Sequence, residues 1–299
     1  MPVTSQTSSL PQNTAETRQR IEAALFAYTE LPEDCPRELR EAMRYSLLAP
    51  GKRLRALLVV WGADACGGSI EAATSAACAV EMVHAYSLIH DDLPAMDNDD
   101  LRRGLPACHK RFGEAIAILA GDGLLALAFG TIAGGVGPPE TAAACCRVLA
   151  EAAGPACLVG GQADDIAGKP PESGIQALES IHRRKTGALI EASLRLGALT
   201  AHADDRQTAA LLRYGRALGL AFQITDDLLD VRGDEVAVGK RVGKDSVQGK
   251  LTFPGLLGVD QAVRRAAELT AEACRALEPL GSRAANLEGL ARYVLERNR

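Results

Sequence analysis

Apolar residues recur every three or four positions along most of this chain, which is the spacing of a helix that buries one face. The segments with this spacing are separated by short breaks rich in Gly and Pro, such as Pro50-Gly51 and Gly67-Gly68. No run of four to eight residues alternates apolar and polar positions as a half-buried strand would. The pattern therefore predicts an all-α fold. Helices are expected over residues 17–31, 36–49, 53–66, 69–92, 112–134, 139–154, 174–201, 204–230 and 260–298.

A single large domain accounts for this pattern. A length of 299 residues would on average correspond to two domains, but the sequence has no repeat of fixed period and no linker between its helical segments. The helical domain is expected over residues 17–299. Residues 1–16 carry neither the helical spacing nor a basic region followed by an apolar one, so they are predicted to be a disordered tail rather than a secretory signal.

Composition narrows the class of protein without identifying it. With 33 basic and 38 acidic residues, the net charge of −5 provides no overall positive field, and a nucleic-acid partner is not expected. The most apolar stretch, residues 115–136, contains Asp122 and five glycines, so no membrane span is predicted. Eight cysteines without a CxxC pair favour reduced thiols and a cytoplasmic protein.

Carboxylates are concentrated after two apolar helical segments. The first cluster runs from Asp91 to Asp100, and Pro94 ends or kinks the helix there, so the break can fold Asp97 back beside Asp91. In the second cluster, Asp226 and Asp230 are four residues apart and share one helix face. The alternative interpretations are a solvated acidic turn and a polar stripe on a surface helix.

Facing carboxylate clusters indicate a bound cation, because like charges at short range raise one another's pKa until a cation neutralises them. The clusters offer oxygen ligands without nearby His or Cys ligands, and such sites suit Mg²⁺ held together with substrate phosphates and water. The two clusters together therefore predict several Mg²⁺ ions on a polyphosphate.

Basic residues stand close to both clusters in the sequence, as expected of a site for an anionic substrate. Gly51-Lys52-Arg53-Leu54-Arg55 opens a helix, where an anion would relieve the repulsion between the cations and the helix terminus. Arg102-Arg103 and Arg183-Arg184-Lys185 follow later, and a glycine-rich basic loop spans residues 239–250. Each element alone is more often a solvated face, but their order with the acidic clusters is more specific.

These motifs together resemble the trans-isoprenyl diphosphate synthases, in particular the bacterial short-chain farnesyl and geranylgeranyl diphosphate synthases, over residues 20–299. Two residues vary from the pattern: Ala56 stands where the family usually has Pro, and Asn98 is a common variant inside the first cluster. The resemblance rests on Gly51 to Arg55, His84 to Asp92, Asp97, Leu101 to Gly104, His109 to Gly113, Gly121-Asp122, Gly160 to Gln162, Asp165, Lys185 to Gly187, Phe222-Gln223, Asp226-Asp227, Asp230, Gly239-Lys240 and Lys250.

The resemblance implies a bundle of mostly antiparallel helices around a deep central cavity, and usually a homodimer. It implies that three Mg²⁺ ions bind the allylic diphosphate substrate through Asp91, Asp97 and Asp226. Supporting carboxylates would be Asp92, Asp227 and Asp230.

The resemblance also assigns the substrate contacts. Arg102, Lys185 and Lys240 would contact the allylic diphosphate, and the oxygens of Thr186 and Gln223 would face the developing carbocation. Isopentenyl diphosphate would be held by Gly51, Lys52, Arg55, His84 and Arg103. Residues expected to help close the site are Lys250, Arg297 and Arg299.

Product length is predicted from the helix that leads into Asp91, because each residue upstream lies about 1.5 Å deeper along it. Tyr86, five residues before Asp91, is the bulky candidate for the floor of the cavity and favours a fifteen-carbon product. Small Ser87 leaves a twenty-carbon product open. Alternatively, Tyr86 points into a helix interface.

Two rival functions remain at this point. A terpene cyclase steers long-lived cations with aromatic side chains, yet the chain has only five Phe, five Tyr and one Trp. A non-catalytic partner subunit of a heteromeric synthase need not keep both acidic clusters, and this chain keeps both.

Overall fold

The structure, a computed structural model, describes residue 11 and residues 14–167, 174–232 and 251–296. Helices make up almost all of it, so the predicted all-α fold is confirmed. A two-stranded antiparallel hairpin pairs Leu101–Arg102 (β1) with Leu105–Pro106 (β2). The α-helices are α1 Thr14–Tyr28, α2 Arg37–Leu47, α3 Leu54–Ala65, α4 Ile70–Asp91, α5 Cys108–Phe112, α6 Glu114–Gly135, α7 Pro139–Ala153, α8 Leu158–Ala167, α9 Ile175–His182, α10 Ala188–Thr200, α11 Asp205–Arg232, α12 Phe253–Leu257, α13 Val259–Ala276 and α14 Ala285–Glu296.

Several boundaries differ from the sequence-based prediction. Helix α1 begins at Thr14, within the segment expected to be a tail. A π-helical turn, Arg183–Gly187, interrupts the predicted 174–201 helix, and a 3₁₀ segment, Glu278–Ala284, interrupts the 260–298 helix, where Gly281 has a positive φ of 61°. Helix α8 was not predicted, because Gly160 and Gly161 lower its helix propensity.

The core is built around α4, which packs against α3 on one side and α6 on the other. Helix α10 packs on α3, and α11 packs on α10 and α13. The crossing of α3 and α10 is close enough to require Gly197, because a Cβ there would lie 2.3 Å from the Val59 carbonyl oxygen. This packing places the carboxyl-terminal end of α4 near the π turn that precedes α10.

Within the described part of the chain, three helical segments reach the length and hydropathy of a membrane span: Ile70–Asp91, Glu114–Gly135 and Pro139–Ala167. The fold buries 72% of the apolar window of α4, which is therefore a core helix. The 139–167 segment is interrupted by turns at residues 154–157, and α6 carries Asp122 in its middle. None of the three is a clear membrane span, although the apolar windows of 114–135 and 139–167 are only 39% buried.

Candidate active site

The first acidic cluster folds back on itself where α4 ends. The backbone N–H of Asp97 donates to the carbonyl oxygen of Asp91 over 2.9 Å, and that of Asn98 donates to Leu93 over 3.1 Å. Asn98 adopts a left-handed conformation, with φ of 50°, which Asn tolerates better than most residues. The return of Asp97 to Asp91, expected from Pro94, is therefore present in the structure.

Burial perturbs the carboxylates of this turn. Burial raises the pKa of Asp91 to about 6; Lys185 and Arg102 oppose the shift, and Asp97 adds to it. Asp92 is 2% exposed, and burial raises its pKa as well. The Nε of Arg102 lies 2.9 Å and 3.2 Å from the two carboxylate oxygens of Asp92. Arg102 thus neutralises Asp92, whereas the charge of Asp91 remains costly without a further cation.

Lys185 faces this turn from the π turn between α9 and α10. Its Nζ donates to Oδ2 of Asp165 on α8 over 2.6 Å. Burial by itself would lower the pKa of Lys185, but the carboxylates of Asp165, Asp91 and Asp97 outweigh burial and raise it. Lys185 is therefore an ammonium group held beside the first acidic cluster.

Two neighbours of Lys185 complete this wall. Gly161 allows α8 to pack closely against the π turn, because a Cβ at residue 161 would lie 2.5 Å from the backbone nitrogen of Lys185. Thr186 donates from Oγ1 to Oε1 of Gln223 on α11 over 3.3 Å. Two oxygen-bearing side chains singled out in the sequence are therefore in contact.

The second acidic cluster lies near the carboxyl-terminal end of α11. Asp226 and Asp230 are half-buried on this helix. Asp227 is 9% exposed, and its Oδ2 accepts from the backbone N–H of Phe253 over 2.9 Å, so it anchors the start of α12. Burial lowers the pKa of Arg55, while Glu81 and Asp226 oppose that shift, which places Arg55 in the field of the second cluster.

A cationic pocket lies between α2, α4 and the hairpin. It is lined by His84, Asp92, Arg102 and Arg103, among others. Burial lowers the pKa of His84 well below its usual range, and so do the surrounding guanidinium groups of Arg55, Arg103, Arg102 and Arg53. A neutral imidazole surrounded by cations suits an anionic ligand, which would supply the missing negative charge.

The remaining predicted residues are distributed as follows. Lys52 is exposed, with its Nζ 5.5 Å from the ring centroid of Tyr293 on α14. Tyr86 is 7% exposed, and its ring makes an edge contact with His90, with centroids 5.7 Å apart. Ser87 donates to the carbonyl oxygen of His84 over 2.9 Å.

The predicted residues that lie outside the described part of the chain are Lys240, Lys250, Arg297 and Arg299.

The structure thus groups the predicted residues around two centres that share Arg102. One centre joins Lys185 to the first acidic cluster, and the other surrounds His84 with arginines. Among the described residues, no three acidic, imidazole or thiol side chains form a preassembled metal site. A cation here would need ligands from a substrate or water as well.

Three residues have roles in the site that the sequence-based prediction did not assign or assigned only in general terms. Asp165 holds Lys185, and Asp227 anchors α12 rather than only supporting a metal. Glu81 is 3% exposed, and its Oε1 accepts from the backbone N–H of Ala56 at the start of α3, over 3.1 Å. A single carboxylate inside the apolar stretch from residue 76 to 83 was a signal that could have identified Glu81.

Comparison with known proteins places this site in a family. The sequence profile of the family described as polyprenyl synthetase matches residues 36–279. The chain is 48% identical over 267 residues to farnesyl diphosphate synthase of Escherichia coli K12, covering 87% of this chain and 89% of that protein. It is 45% identical over 283 residues to a chloroplastic geranylgeranyl pyrophosphate synthase of Arabidopsis thaliana, covering 92% and 79%. A crystal structure of an FPP/GFPP synthase from Zymomonas mobilis superimposes with a TM-score of 0.85 at 38% identity, covering 94% and 97%.

Proposed function

Because the chain belongs to the polyprenyl synthetase family and is a prenyltransferase that forms short-chain prenyl diphosphates, we propose that it condenses isopentenyl diphosphate head to tail (1'-4) with dimethylallyl or geranyl diphosphate. The observation that carries this proposal is the position of Lys185. Its ammonium group lies in the field of Asp91 and Asp97, which belong to another wall of the site. Opposed cations and carboxylates of this kind suit a diphosphate bound together with a metal.

The reaction begins with cleavage of the allylic C–O bond, whose electron pair leaves with the diphosphate. The double bond of isopentenyl diphosphate then attacks the resulting carbocation. The released diphosphate takes up the proton whose loss restores a double bond in the lengthened chain. Lys185 and Arg102 stabilise the negative charge that develops on the leaving group. Thr186 and Gln223 present oxygen atoms, whose dipoles favour a nearby cation on carbon.

The carboxylates fit Mg²⁺, which the family uses. Asp91 is buried beside like charges and its pKa is raised to about 6, so a divalent cation would stabilise its ionised form. We assign Asp91, Asp97 and Asp226 as the ligands, with Asp92 and Asp230 in support. When bound, Mg²⁺ supplies positive charge to the departing diphosphate.

A direct assay tests this function. Purified protein is incubated with dimethylallyl diphosphate, isopentenyl diphosphate and Mg²⁺, and the products are identified by mass spectrometry. A linear prenyl diphosphate supports the proposal, and its formation stops when EDTA removes the metal. A cyclic hydrocarbon would indicate a cyclase, and the absence of any condensation product would indicate a non-catalytic subunit.

Tyr86 is the proposed floor of the product cavity, and it favours farnesyl diphosphate over geranylgeranyl diphosphate. It is buried on α4, five residues before Asp91, and burial, followed by the Asp91 carboxylate, raises the pKa of its phenol. We expect Tyr86→Ala to shift the main product to a longer chain, because the truncated side chain leaves room for another isoprene unit. Tyr86→Phe keeps the ring and serves as the control. An unchanged distribution of product masses in Tyr86→Ala would show that another residue limits the chain.

A homodimer is the proposed assembly, and helix α6 is the proposed contact surface. Ile118 is 45% exposed and Leu119 is 51% exposed in the amino-terminal part of this helix, which is one of the most apolar segments of the described chain. We expect the protein to sediment at twice the 31.4 kDa chain mass, and Leu119→Glu to shift it toward a monomer. Phe26→Glu, at an exposed apolar residue of α1, is the control. A monomeric wild-type protein would contradict the proposal, and binding to lipid vesicles would point to a membrane as the partner of α6.

The thiols support a cytoplasmic protein. All eight cysteines are free. Burial raises the pKa of Cys78 and Cys145 to about 12 each, so both stay protonated and unreactive near neutral pH.

A further inference from the structure

Arg53 stands between Lys52 and Arg55 in the basic motif, yet its side chain points into the protein. Arg53 is 4% exposed, Nη1 donates to the carbonyl oxygen of Leu47 over 2.9 Å, and Nη2 donates to that of Ala49 over 2.9 Å. Leu47 is the last residue of α2, so the guanidinium lies at the negative end of that helix. Nη1 and Nη2 are therefore bonded to the protein, although Arg53 also borders the cationic pocket that contains His84.

The backbone of Arg53 also sets the geometry of the turn formed by residues 48–53. With φ of 52° and ψ of 36°, Arg53 has a left-handed backbone conformation. A residue other than glycine adopts this conformation only when its surroundings stabilise it. The two hydrogen bonds and an ion pair with Glu22 on α1, at 3.6 Å, provide that stabilisation. Arg53 is the N-cap residue of α3, but its side chain makes no capping hydrogen bond; the side chain of Glu81 accepts from the N–H of Ala56 instead.

The same turn holds Arg103. Nη1 of Arg103 donates to the Ala49 carbonyl oxygen over 3.3 Å, so that oxygen accepts from both arginines. A Cβ on Gly51 would lie 2.7 Å from Nη1 of Arg103, which means that the guanidinium packs directly on the glycine. A displacement of the 48–53 turn would therefore move Lys52 and Arg103 together.

We propose that Arg53 is a positioning residue for isopentenyl diphosphate: through its two hydrogen bonds to the carbonyls of Leu47 and Ala49 it fixes the 48–53 turn, so that Lys52, Arg55 and Arg103 converge on one diphosphate. This inference rests on the proposed assignment of those three cations to isopentenyl diphosphate. Arg53 thus differs in role from Lys52 and Arg55, although all three are basic residues of one short motif.

Two substitutions test the proposal. Arg53→Gly retains a residue that adopts positive φ without strain but removes the guanidinium. Arg53→Lys keeps the charge but cannot reproduce a planar fork that donates to two carbonyls. We expect both to raise the KM for isopentenyl diphosphate by about tenfold to hundredfold, because small displacements of binding groups have effects of this size. The KM for geranyl diphosphate and kcat should change by less than about threefold.

Three further variants make the result decisive. Arg37→Lys, on the exposed start of α2, should leave both KM values unchanged. Gly51→Ala should raise the KM for isopentenyl diphosphate by displacing Arg103, without touching Arg53. Lys52→Ala tests the proposed binding site separately: an unchanged KM in this variant would refute that site whatever Arg53 does.

Other results would contradict the positioning role of Arg53. If Lys52→Ala raises the KM for isopentenyl diphosphate and folded Arg53→Gly does not, Arg53 does not position the turn. Equal increases in the KM values of both substrates, or loss of folding in both Arg53 variants as judged by thermal unfolding, would show a general stabilising role and overturn the proposal.

Discussion

Asp91→Asn is expected to lower kcat/KM for the allylic substrate by about 10³-fold, since single groups that stabilise a developing charge contribute roughly 10²- to 10³-fold or more. Asparagine preserves the shape of the side chain but removes the negative charge that the proposed Mg²⁺ requires. The measurement is the initial rate of condensation as a function of Mg²⁺ concentration. We expect the half-saturating Mg²⁺ concentration to rise as the maximal rate falls.

The structure explains why Asp91 should matter more than its neighbours. The pKa of Asp91 is raised to about 6 mainly by burial, which outweighs the opposing charges of Lys185 and Arg102, whereas Asp92 accepts a hydrogen bond directly from Nε of Arg102. In the absence of a cation, an ionised Asp91 is therefore unfavourable, and the Asn substitution should not lower the thermal unfolding midpoint of the metal-free protein. Reduced activity with retained stability is the expected combination.

Asp100→Asn provides the matched control in the same acidic cluster. Its side chain is 71% exposed and pairs with Lys110 over 2.8 Å. Exposed pairs of this kind contribute little to stability, so activity should stay within about twofold of wild type. If Asp91→Asn retained more than a tenth of the wild-type activity, Asp91 would not be a metal ligand in this protein.

The sequence predicted best those parts of the site that depend on local geometry. The break at Pro94 forces the chain out of the helix, and the hydrogen bond from Asp97 to Asp91 follows within a few residues. The helix pattern likewise placed α4 and α11, and with them the two acidic clusters. These are effects of neighbouring residues, which a sequence displays directly.

Contacts between distant segments were not predictable in this way. Asp165 reaches Lys185 because α8 approaches the π turn at Gly161, and α8 itself was missed because of its glycines. Adjacent arginines also diverge: Arg102 pairs with Asp92, whereas Arg103, with φ of 54°, turns toward the Ala49 carbonyl. Residue type and spacing are the same for both arginines, so these two features do not reveal that the side chains have different partners.

Lys185→Met is the second substitution with a large expected effect: kcat/KM for the allylic diphosphate should fall by about 10²- to 10³-fold, while the KM for isopentenyl diphosphate changes by less than about threefold. Methionine fills a similar volume but carries no charge to stabilise the departing diphosphate. Lys185 lies in the field of Asp91 and Asp97, whereas the proposed isopentenyl site surrounds His84. Steady-state kinetics with each substrate varied in turn separate these two effects.

The chain contains a closely matched control for this substitution in the preceding residue. Arg184 pairs with Asp164, as Lys185 pairs with Asp165, so the same two elements are joined by two parallel ion pairs. Loss of either pair should weaken the contact between α8 and the π turn to a similar extent, but only Lys185 is coupled to the first acidic cluster. Arg184→Met should therefore shift the thermal unfolding midpoint much as Lys185→Met does, while retaining most of the activity. Equal losses of activity in the two variants would mean that Lys185 acts by holding α8 in place rather than by stabilising the leaving group.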